Sequence, residues 1–526
     1  MKKYQYRLFA ALFVLMFLIV GCSSKEDGTS EVNGGSQENN AGGELRIALN
    51  AQPPTLDQHL ASGTSTRDTG RLIFETLVTT NSKYEVIPML AESVDISDDG
   101  KIYTFNLRQG VKFHNDKEMI AEDVVASMHR WLDKSPVTGS IFEGAKFEAI
   151  DNHTVVLELA KPSALVMDTL ASPKQAAAIM PKEIIEAETE DGLQEYIGTG
   201  PFEFVEWKQD QYIHFKKYED YSSVDFESDG LAGEKVALVD DIYFDIVTDP
   251  STRIAGLQTG RYDIVYQIAY DDYENVDSDP NLQIMLDSGG ELIYLYNKEA
   301  GPAADFKMRE AINAALNIDE ILLAAFTREE LYSFSPGYMS QDIVNWSSNA
   351  GEEFYNQKDI EKAKKILEEI GYNGEEFKIL VTRDYPAYYQ AGVVIQEQLT
   401  KAGMNIKLDV FDWATFNEMI NDSDSWDSLV VGVSSVNTPI QLVQINPTFA
   451  GGVGDQAIID LLEEIETSPD EEEAKRLWDE LQSYAWEEHL PLSQLGCYYN
   501  LFGVSNNVEG FTTSSGPVLW NTRVTN

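Results

Sequence analysis

The sequence of 526 residues contains only two cysteines, Cys22 and Cys497, so it has no framework of disulfides. Its six histidines include no pair at metal-ligand spacing, and neither a metal site nor a cofactor is expected. A nucleophile elbow, a phosphate-binding loop and a dinucleotide fingerprint are also missing. A secreted hydrolase that uses a pair of carboxylates therefore remains only as the weaker alternative function.

Basic residues are scarce, with 39 Lys and Arg against 88 Asp and Glu and a formal net charge of −49. Binding to nucleic acid requires a basic face that contacts phosphates, and adhesion to anionic lipid requires the same. The charge therefore argues against both kinds of partner. It is better explained as a contribution to solubility.

The N-terminus has the pattern of a secretory signal. Three basic residues in 1–7 precede thirteen uncharged residues, 8–20, a run too short to span a bilayer comfortably. The sequence LIVGCSS follows and resembles the lipobox of bacterial lipoproteins, in which the cysteine becomes the acylated N-terminal residue. This resemblance implies cleavage before Cys22 and a lipid on it. The alternative is an ordinary secretory signal in which Cys22 is incidental.

The rest of the chain divides into a tether and a folded body. Residues 22–43 are rich in Gly, Ser and Asn without an aromatic residue, which is typical of a flexible linker. The body, from about Glu44 to Asn526, is too long for one core, so two or three lobes are expected. Cys497 lies in an apolar run there and is predicted to be a small buried hydrophobic residue.

Strand and helix patterns alternate along the body, which predicts an α/β fold with a mixed sheet. The clearest patterns before the middle of the chain are strands at 44–50, 103–108 and 153–160, and helices at 69–78 and 121–132. A strand, a helix that begins at Asp249 or Ser251 and ends at Gly260, and another strand follow.

The later part of the chain predicts a binding edge. Strands at 376–382, 405–411 and 428–433 are joined by helical crossovers, so they should lie parallel in one sheet. Ligands of open α/β sheets bind beyond the carboxyl ends of the strands. Arg383 follows the first strand, and Ser434, Ser435 and Asn437 follow the third, so these side chains should share that edge.

Several segments, in order along the chain, resemble extracellular solute-binding proteins that serve as peptide and nickel receptors of ABC importers. The most characteristic is IPMLAESVDISDDGKIYTFNLRQGVKFHNDKEMIAEDVVASMHRW at 87–131. YIGTGPFEFVEW at 196–207 and YNQKDIEKAKKILEEIGYNG at 355–374 extend the match. The matching segments are distributed over nearly the whole mature chain.

This resemblance implies a periplasmic-binding-protein-like clamshell of two lobes, with an extra subdomain on the first. We expect lobe I to comprise residues 44–290 and 490–526, and lobe II residues 291–489. The implied function is capture of a short peptide and its delivery to an ABC permease, by a monomer anchored at the extracytoplasmic face of the bacterial membrane. A nickel chelate or an oligosaccharide is the alternative ligand.

The resemblance also implies site residues. Arg383 matches an arginine that binds the peptide carboxylate, and Trp413 matches a tryptophan that lines the pocket. Ser62, Gly63 and Thr64 match a loop that contacts the peptide backbone, and Tyr385 could form an apolar wall. The alternatives are a salt bridge for Arg383, a simple turn for 62–64 and a core position for Trp413. Residues 434–437 depart from the family, because they lack the aspartate that binds the peptide amine.

Overall fold

A computed structural model describes residues 42–525 of the chain except 191, 448 and 453. The predicted signal peptide, Cys22 and nearly all of the predicted tether lie outside these residues. In the described part, no helix combines the length and the apolar character needed to cross a membrane.

The helices and strands of the described residues are as follows. The helices are α1 (Thr64–Gly70), α2 (Ala121–Lys134), α3 (Val166–Leu170), α4 (Lys182–Glu186), α5 (Pro250–Gln258), α6 (Tyr273–Asp277), α7 (Phe306–Ala315), α8 (Ile318–Phe326), α9 (Ile360–Glu369), α10 (Pro386–Lys401), α11 (Trp413–Ile420), α12 (Gln456–Thr467) and α13 (Glu471–Tyr484). The strands are β1 (Glu44–Leu49), β2 (Val78–Thr80), β3 (Val86–Pro88), β4 (Ala91–Ile96), β5 (Ile102–Leu107), β6 (Lys146–Asp151), β7 (Thr154–Glu158), β8 (Phe202–Lys208), β9 (Tyr212–Lys217), β10 (Asp241–Ile246), β11 (Ile264–Val265), β12 (Leu282–Tyr296), β13 (Tyr332–Ser333), β14 (Glu376–Thr382), β15 (Asn405–Phe411), β16 (Ser428–Val433), β17 (Leu492–Ser505), β18 (Val508–Glu509), β19 (Thr512–Thr513), β20 (Pro517–Val518) and β21 (Arg523–Val524).

The main sheet runs in the order β15, β14, β16, β12, β17, β11, β1, β10, β9 and β8, and β13 also pairs with β17. β14 is parallel to β15 and β16, and β1 is parallel to β10 and β11. The other pairs in this sheet are antiparallel. The mixed sheet confirms the α/β class, and the β14–β16 group confirms the predicted parallel strands.

A separate antiparallel sheet in the order β4, β5, β7, β6 packs against α2. Its alternating pattern turns Phe105, Val155 and Leu157 into the core that also contains Trp131 of α2, and all four side chains are fully buried. This helix and sheet form a layer of their own outside the main sheet.

The strands β12 and β17 connect the two halves of the main sheet. They pair from Leu282 opposite Ser505 to Leu295 opposite Leu492, with register shifts between Ser288 and Gly290 and between Leu292 and Ile293. Such irregularities bend a strand and increase its twist. Gly290 has a φ of 122°, and a Cβ on it would lie 2.1 Å from the carbonyl oxygen of Val433.

The predicted helix at 69–78 is wrong. Helix α1 ends at Gly70, and the chain then turns towards β2. The carbonyl of Ile73, which a continuing helix would use internally, instead accepts a hydrogen bond of 2.8 Å from the backbone nitrogen of Gly200. A Cβ on Gly200 would lie 2.7 Å from the same oxygen, so the GTGP segment docks here because it has no side chain at that position.

Other local predictions are confirmed. Helix α5 begins after Asp249, whose side chain accepts a hydrogen bond from the Thr252 nitrogen. Cys497 is 6% exposed within β17, as expected of a small buried hydrophobic residue. Arg383 directly follows β14, at its carboxyl end.

Replacement of Gly290 by alanine should destabilise the fold more than replacement of Gly403. Both glycines have positive φ, 122° and 96°, so each alanine adds backbone strain of about 1–3 kcal/mol. Gly403 has open space around its Cβ position, whereas Gly290 faces the Val433 carbonyl. We expect Gly290→Ala to lower the free energy of unfolding by about 1–3 kcal/mol more than Gly403→Ala, measured by urea denaturation. Equal losses of unfolding free energy would show that the short distance to the Val433 carbonyl adds no cost at Gly290.

Candidate functional site

Arg383 begins the turn between β14 and α10. Its backbone nitrogen donates to the carbonyl of Phe411 at 3.0 Å, and one terminal nitrogen of the guanidinium donates to the carbonyl of Val410 at 3.2 Å. The side chain is exposed, and no carboxylate of the described residues forms an ion pair with it. The salt-bridge alternative is therefore not supported, and most donors of the guanidinium face solvent.

A series of aromatic rings leads from this turn to β17. Tyr385 is 43% exposed and stacks on Tyr388, with ring centroids 4.9 Å apart. Its ring also meets the edge of Trp413 at 5.0 Å. The hydroxyl oxygens of Tyr388 and Tyr498 lie 3.4 Å apart. These contacts join the predicted wall residues to the centre of the sheet.

Trp413 begins α11 and is fixed from both sides. Its backbone nitrogen donates to the Asp384 carboxylate at 2.7 Å, and its ring stacks on buried Phe416 at 5.3 Å. The indole remains partly exposed. Trp413 thus packs within α11 and also exposes part of its ring beside Tyr385. It has features of both a core residue and a pocket-lining residue, the two roles considered from the sequence.

The residues after β16 separate into two kinds. Ser434 is exposed and Ser435 is partly exposed, with its Oγ 3.4 Å from the Oγ of Ser288 on β12. Asn437 is buried, and its backbone nitrogen donates to the Gln441 side chain at 3.2 Å. Ser435 therefore contacts β12 at the centre of the sheet, while Asn437 takes part in a turn.

The predicted loop at 62–64 is exposed and leads into α1, with Gly63 at the helix N-cap. Long-range contacts of this segment are made by Arg71, directly after α1. The Arg71 guanidinium donates to the carbonyls of Ser514, Ser515 and Pro517. Thus Arg71, directly after α1, supports the 514–517 segment, and no contact brings the three loop residues to Arg383 within the described structure.

Beside β12 and β17 lies a cleft of about 380 Å³. Its walls come from five separate segments of the chain. The lining residues are Ser82, Lys83, Tyr84, Leu286, Asp287, Ser288, Gln341, Asp342, Val344, Tyr499, Thr513, Ser514 and Ser515. None of the predicted site residues is among them, although Ser435 contacts Ser288 and the aromatic series ends at Tyr498, next to Tyr499.

The cleft is polar and partly acidic. Asp287 is 7% exposed and accepts a hydrogen bond from the Gly516 nitrogen at 3.0 Å. Burial raises the pKa of Asp287, and nearby Arg67 opposes that increase. Asp342 and Lys83 are exposed at the rim, and burial raises the pKa of the Tyr84 hydroxyl. The cleft thus offers acceptors for a cationic group, while Arg383 offers donors for an anionic group.

Sequence patterns did not identify this cleft, because long-range strand pairing assembles it. A signal that could have been used is the pair of glycines in SGGELIYLY at 288–296, since adjacent glycines in a strand pattern suggest a bulge or a close backbone approach. In the described residues, no group of three or more His, Cys, Asp or Glu is arranged to hold a metal ion.

Comparisons with known proteins extend this description. The sequence model of the bacterial extracellular solute-binding proteins of family 5 matches residues 85–445. The oligopeptide-binding protein AppA of Bacillus subtilis (strain 168) is 26% identical over 470 residues, covering 84% of this chain and 82% of AppA. The dipeptide-binding protein of Escherichia coli (strain K12) is 30% identical over 374 residues, covering 65% of this chain and 66% of that protein.

The fold is also similar to a solved structure, the periplasmic binding protein AgaA of A. tumefaciens R10 in complex with agropinic acid. The TM-score is 0.71 at 28% identity, and the match covers 92% of this chain and 99% of AgaA. This chain therefore has the two-lobed fold of periplasmic binding proteins.

Proposed function

The chain belongs to the bacterial extracellular solute-binding proteins of family 5, and we propose that it captures short peptides for an ABC importer. The observation that supports this most is the family match over 85–445, together with relatives named for binding oligopeptides and dipeptides. Those relatives are named as binding proteins, so the chain acts as a receptor and releases its ligand unchanged to the membrane permease.

The two lobes meet at β12 and β17. Lobe I comprises residues 44–290 and 490–526, and lobe II comprises residues 291–489. The first boundary falls at the bulge that follows Ser288, and the second at Leu490, where φ is 42°. The cleft takes walls from both lobes, with 513–515 on one side and 341–344 on the other. Bending at β12 and β17 closes the lobes over the ligand and strengthens its polar contacts by excluding water.

Arg383 binds the ligand carboxylate. A guanidinium can hold a carboxylate through two parallel charge-assisted hydrogen bonds. In support, its side chain is exposed and only one of its donors is bound to the neighbouring Val410 carbonyl. Tyr385 and Trp413 form an aromatic wall beside it. Ser434 and Ser435 supply hydroxyls at the same sheet edge, and Ser62, Gly63, Thr64 and Asn437 are the further ligand contacts that the family resemblance implies.

A non-peptide ligand is the second candidate. AgaA, which is 28% identical, holds agropinic acid, and residues 434–437 lack the acid expected for a peptide amine. A nickel chelate or an oligosaccharide would bind at the same site. An anionic chelate would still engage Arg383, whereas an oligosaccharide would rely on the aromatic wall.

The protein is a lipoprotein at the extracytoplasmic face of the membrane and acts as a monomer. Cys22 carries the lipid, and residues 23–43 form the tether. In support, the family is extracellular, and the sequence around Cys22 has the pattern of a lipobox. A tethered receptor stays close to its permease while it samples the surroundings.

The mature protein should be stabilised by free di- to pentapeptides in thermal unfolding. A ligand present at a hundred times its dissociation constant adds about 2.7 kcal/mol to the free energy of unfolding. The same peptides should reduce the radius of gyration measured by X-ray scattering, because the lobes close. Nickel chelates and oligosaccharides are tested in parallel. A response to these ligands without any response to peptides would identify the second candidate as correct.

Arg383→Ala should weaken the binding of free peptides by about tenfold or more, and the binding of their C-terminal amides much less, since the amide removes the charge that the guanidinium pairs with. Arg383→Lys should recover only part of the affinity, because an ammonium lacks the planar fork. The matched control is Arg476→Ala, an exposed arginine on α13. Isothermal titration calorimetry gives the dissociation constants. Equal losses for acids and amides would refute the carboxylate assignment.

Cys22→Ser should move the protein from the membrane fraction to the soluble fraction of cells that secrete it, because the thiol that accepts the lipid is removed. Detergent phase partitioning followed by immunoblotting measures this distribution. Cys497→Ser serves as the control, since that thiol is buried in β17 and lies outside the lipobox motif. Retention of the Cys22→Ser protein on the membrane would contradict lipid anchoring through Cys22.

A further inference from the structure

Glu291 lies where the three central strands of the main sheet meet. It belongs to β12 and is paired with Val433 of β16 and with Cys497 of β17. The side chain is only 1% exposed. The register shift between Ser288 and Gly290 comes immediately before it, so Glu291 follows the part of β12 that lines the cleft.

The carboxyl of Glu291 has polar neighbours but no cationic partner in the described structure. It accepts hydrogen bonds from the Ser340 backbone and the Ser435 side chain, and the charged group that acts on it is another acid, Asp342. Its Oε2 atom is buried and has no hydrogen-bond partner among the described residues. One acceptor of a buried carboxyl is therefore available.

Burial of an ionised carboxyl without a counter-charge is costly, and the group usually becomes protonated instead. Burial raises the pKa of Glu291 to about 8, and the hydrogen bonds from Ser340 and Ser435 only partly oppose this. Stability alone does not require an acid at such a position, since an apolar residue would avoid the cost. Acids with pKa values raised in this way concentrate at functional sites.

A chain of contacts links the carboxyl to the cleft. Ser435, which hydrogen-bonds to Glu291, is partly exposed and lies 3.4 Å from Ser288, measured between the Oγ atoms. Ser288 lines the cleft. On the other side, the Asp342 nitrogen donates to the Ser340 hydroxyl at 3.3 Å, and Asp342 also lines the cleft. A ligand group at the level of Ser435 would thus lie close to the carboxyl.

We propose that Glu291 supplies the negative charge that binds the ammonium group of the peptide ligand. This step rests on the proposed peptide-binding function and specifies its second polar anchor. It also accounts for the absence of an acid in residues 434–437, because the charge comes from the adjacent strand. The partly exposed Ser435 hydroxyl is the direct acceptor for an ammonium proton, and the buried carboxyl of Glu291 behind it, whose Oε2 is free, supplies the charge.

The acids that line the cleft fit this role less well. Asp287 already accepts a hydrogen bond from the Gly516 nitrogen, and Arg67 acts on it as a nearby cation. Asp342 is exposed, so water and salt weaken its attraction for a ligand charge. Glu291 combines burial, an unused acceptor and the lack of a cationic partner.

This assignment predicts release of a proton on binding. At pH 6.5 the free carboxyl of Glu291 is protonated and a peptide amine, with a pKa of about 7.7–8.0, is charged. Ionisation of Glu291 beside the ammonium transfers one proton to solvent. The titratable groups that face it are Asp342, Cys497 and Tyr498. Burial raises the pKa of the Cys497 thiol to about 12 and that of the Tyr498 hydroxyl well above its usual value, so both remain neutral.

Calorimetric titration of the mature protein with a free peptide, at pH 6.5 in buffers of different ionisation enthalpy, counts the protons exchanged. We expect about one proton released per peptide, and an affinity that falls about tenfold per pH unit from pH 6.5 to 5.5. The N-acetylated peptide should bind more weakly and release no proton. Tight binding of the acetylated peptide with the same proton release would overturn the assignment and leave peptide capture intact. A lack of binding by any peptide would overturn both proposals.

Substitutions of single acids show which residue supplies the charge that binds the ammonium group. Glu291→Gln, which has nearly the shape of the protonated acid, should abolish proton release and weaken binding of the free peptide at pH 7.5 by about tenfold or more. Glu376→Gln removes the same charge at the opposite end of β14 and should change neither. If proton release is lost in Asp342→Asn and kept in Glu291→Gln, the assignment to Glu291 is wrong. The comparison of free and acetylated peptides uses the unaltered protein, so it decides the question even if Glu291→Gln folds poorly.

Discussion

The pairing of β12 with β17 is the constraint on which the rest of the structure depends. In the main sheet, β16 lies next to β12, and β14 and β15 lie beyond it. On the other side, β11 lies next to β17, followed by β1, β10, β9 and β8. The two halves are therefore held in register by one ladder that runs from Leu282 opposite Ser505 to Leu295 opposite Leu492. Its irregularities near Gly290 bend the sheet at the point where the cleft opens. The same ladder thus sets the fold and the position of the site.

Arg383 is exposed in a chain that has far more acidic than basic residues. With 88 acids against 39 basic residues, a basic side chain on this surface has many potential partners. Several other arginines use them. Arg130 is buried against Asp57 and Glu188, and Arg476 pairs with Glu473 and Glu480. An arginine at a strand end that has no ion-pair partner in the described part of so acidic a chain is consistent with a site that awaits an anion from outside.

The sequence was informative wherever short-range patterns decide structure. The spacing of strands and crossovers predicted the parallel β14–β16 group and placed Arg383 at its carboxyl edge. The helix predicted at 69–78 failed because a distant segment, with Gly200, takes the Ile73 carbonyl. The cleft and Glu291 were missed for a similar reason. Within its own segment Glu291 is an ordinary strand residue, and it becomes a buried acid without a counter-charge only when β16 and β17 cover it. Local periodicity carries no information about such neighbours.

The register of the sheet relates the two proposed anchors to the length of the ligand. Ile379 of β14 is level with Ser428 of β16, so Arg383, four residues further, continues to the level of Gly432. Glu291 of β12 pairs with the next residue, Val433. The two anchors are thus almost level and separated by β16 alone, or about 10 Å at a strand spacing of about 4.8 Å. An extended peptide advances about 3.3–3.6 Å per residue, so two or three residues span a similar distance. The side chains of Arg383 and Glu291 can lengthen or shorten that span by bending, but the sheet itself sets a scale that suits short peptides with both ends charged.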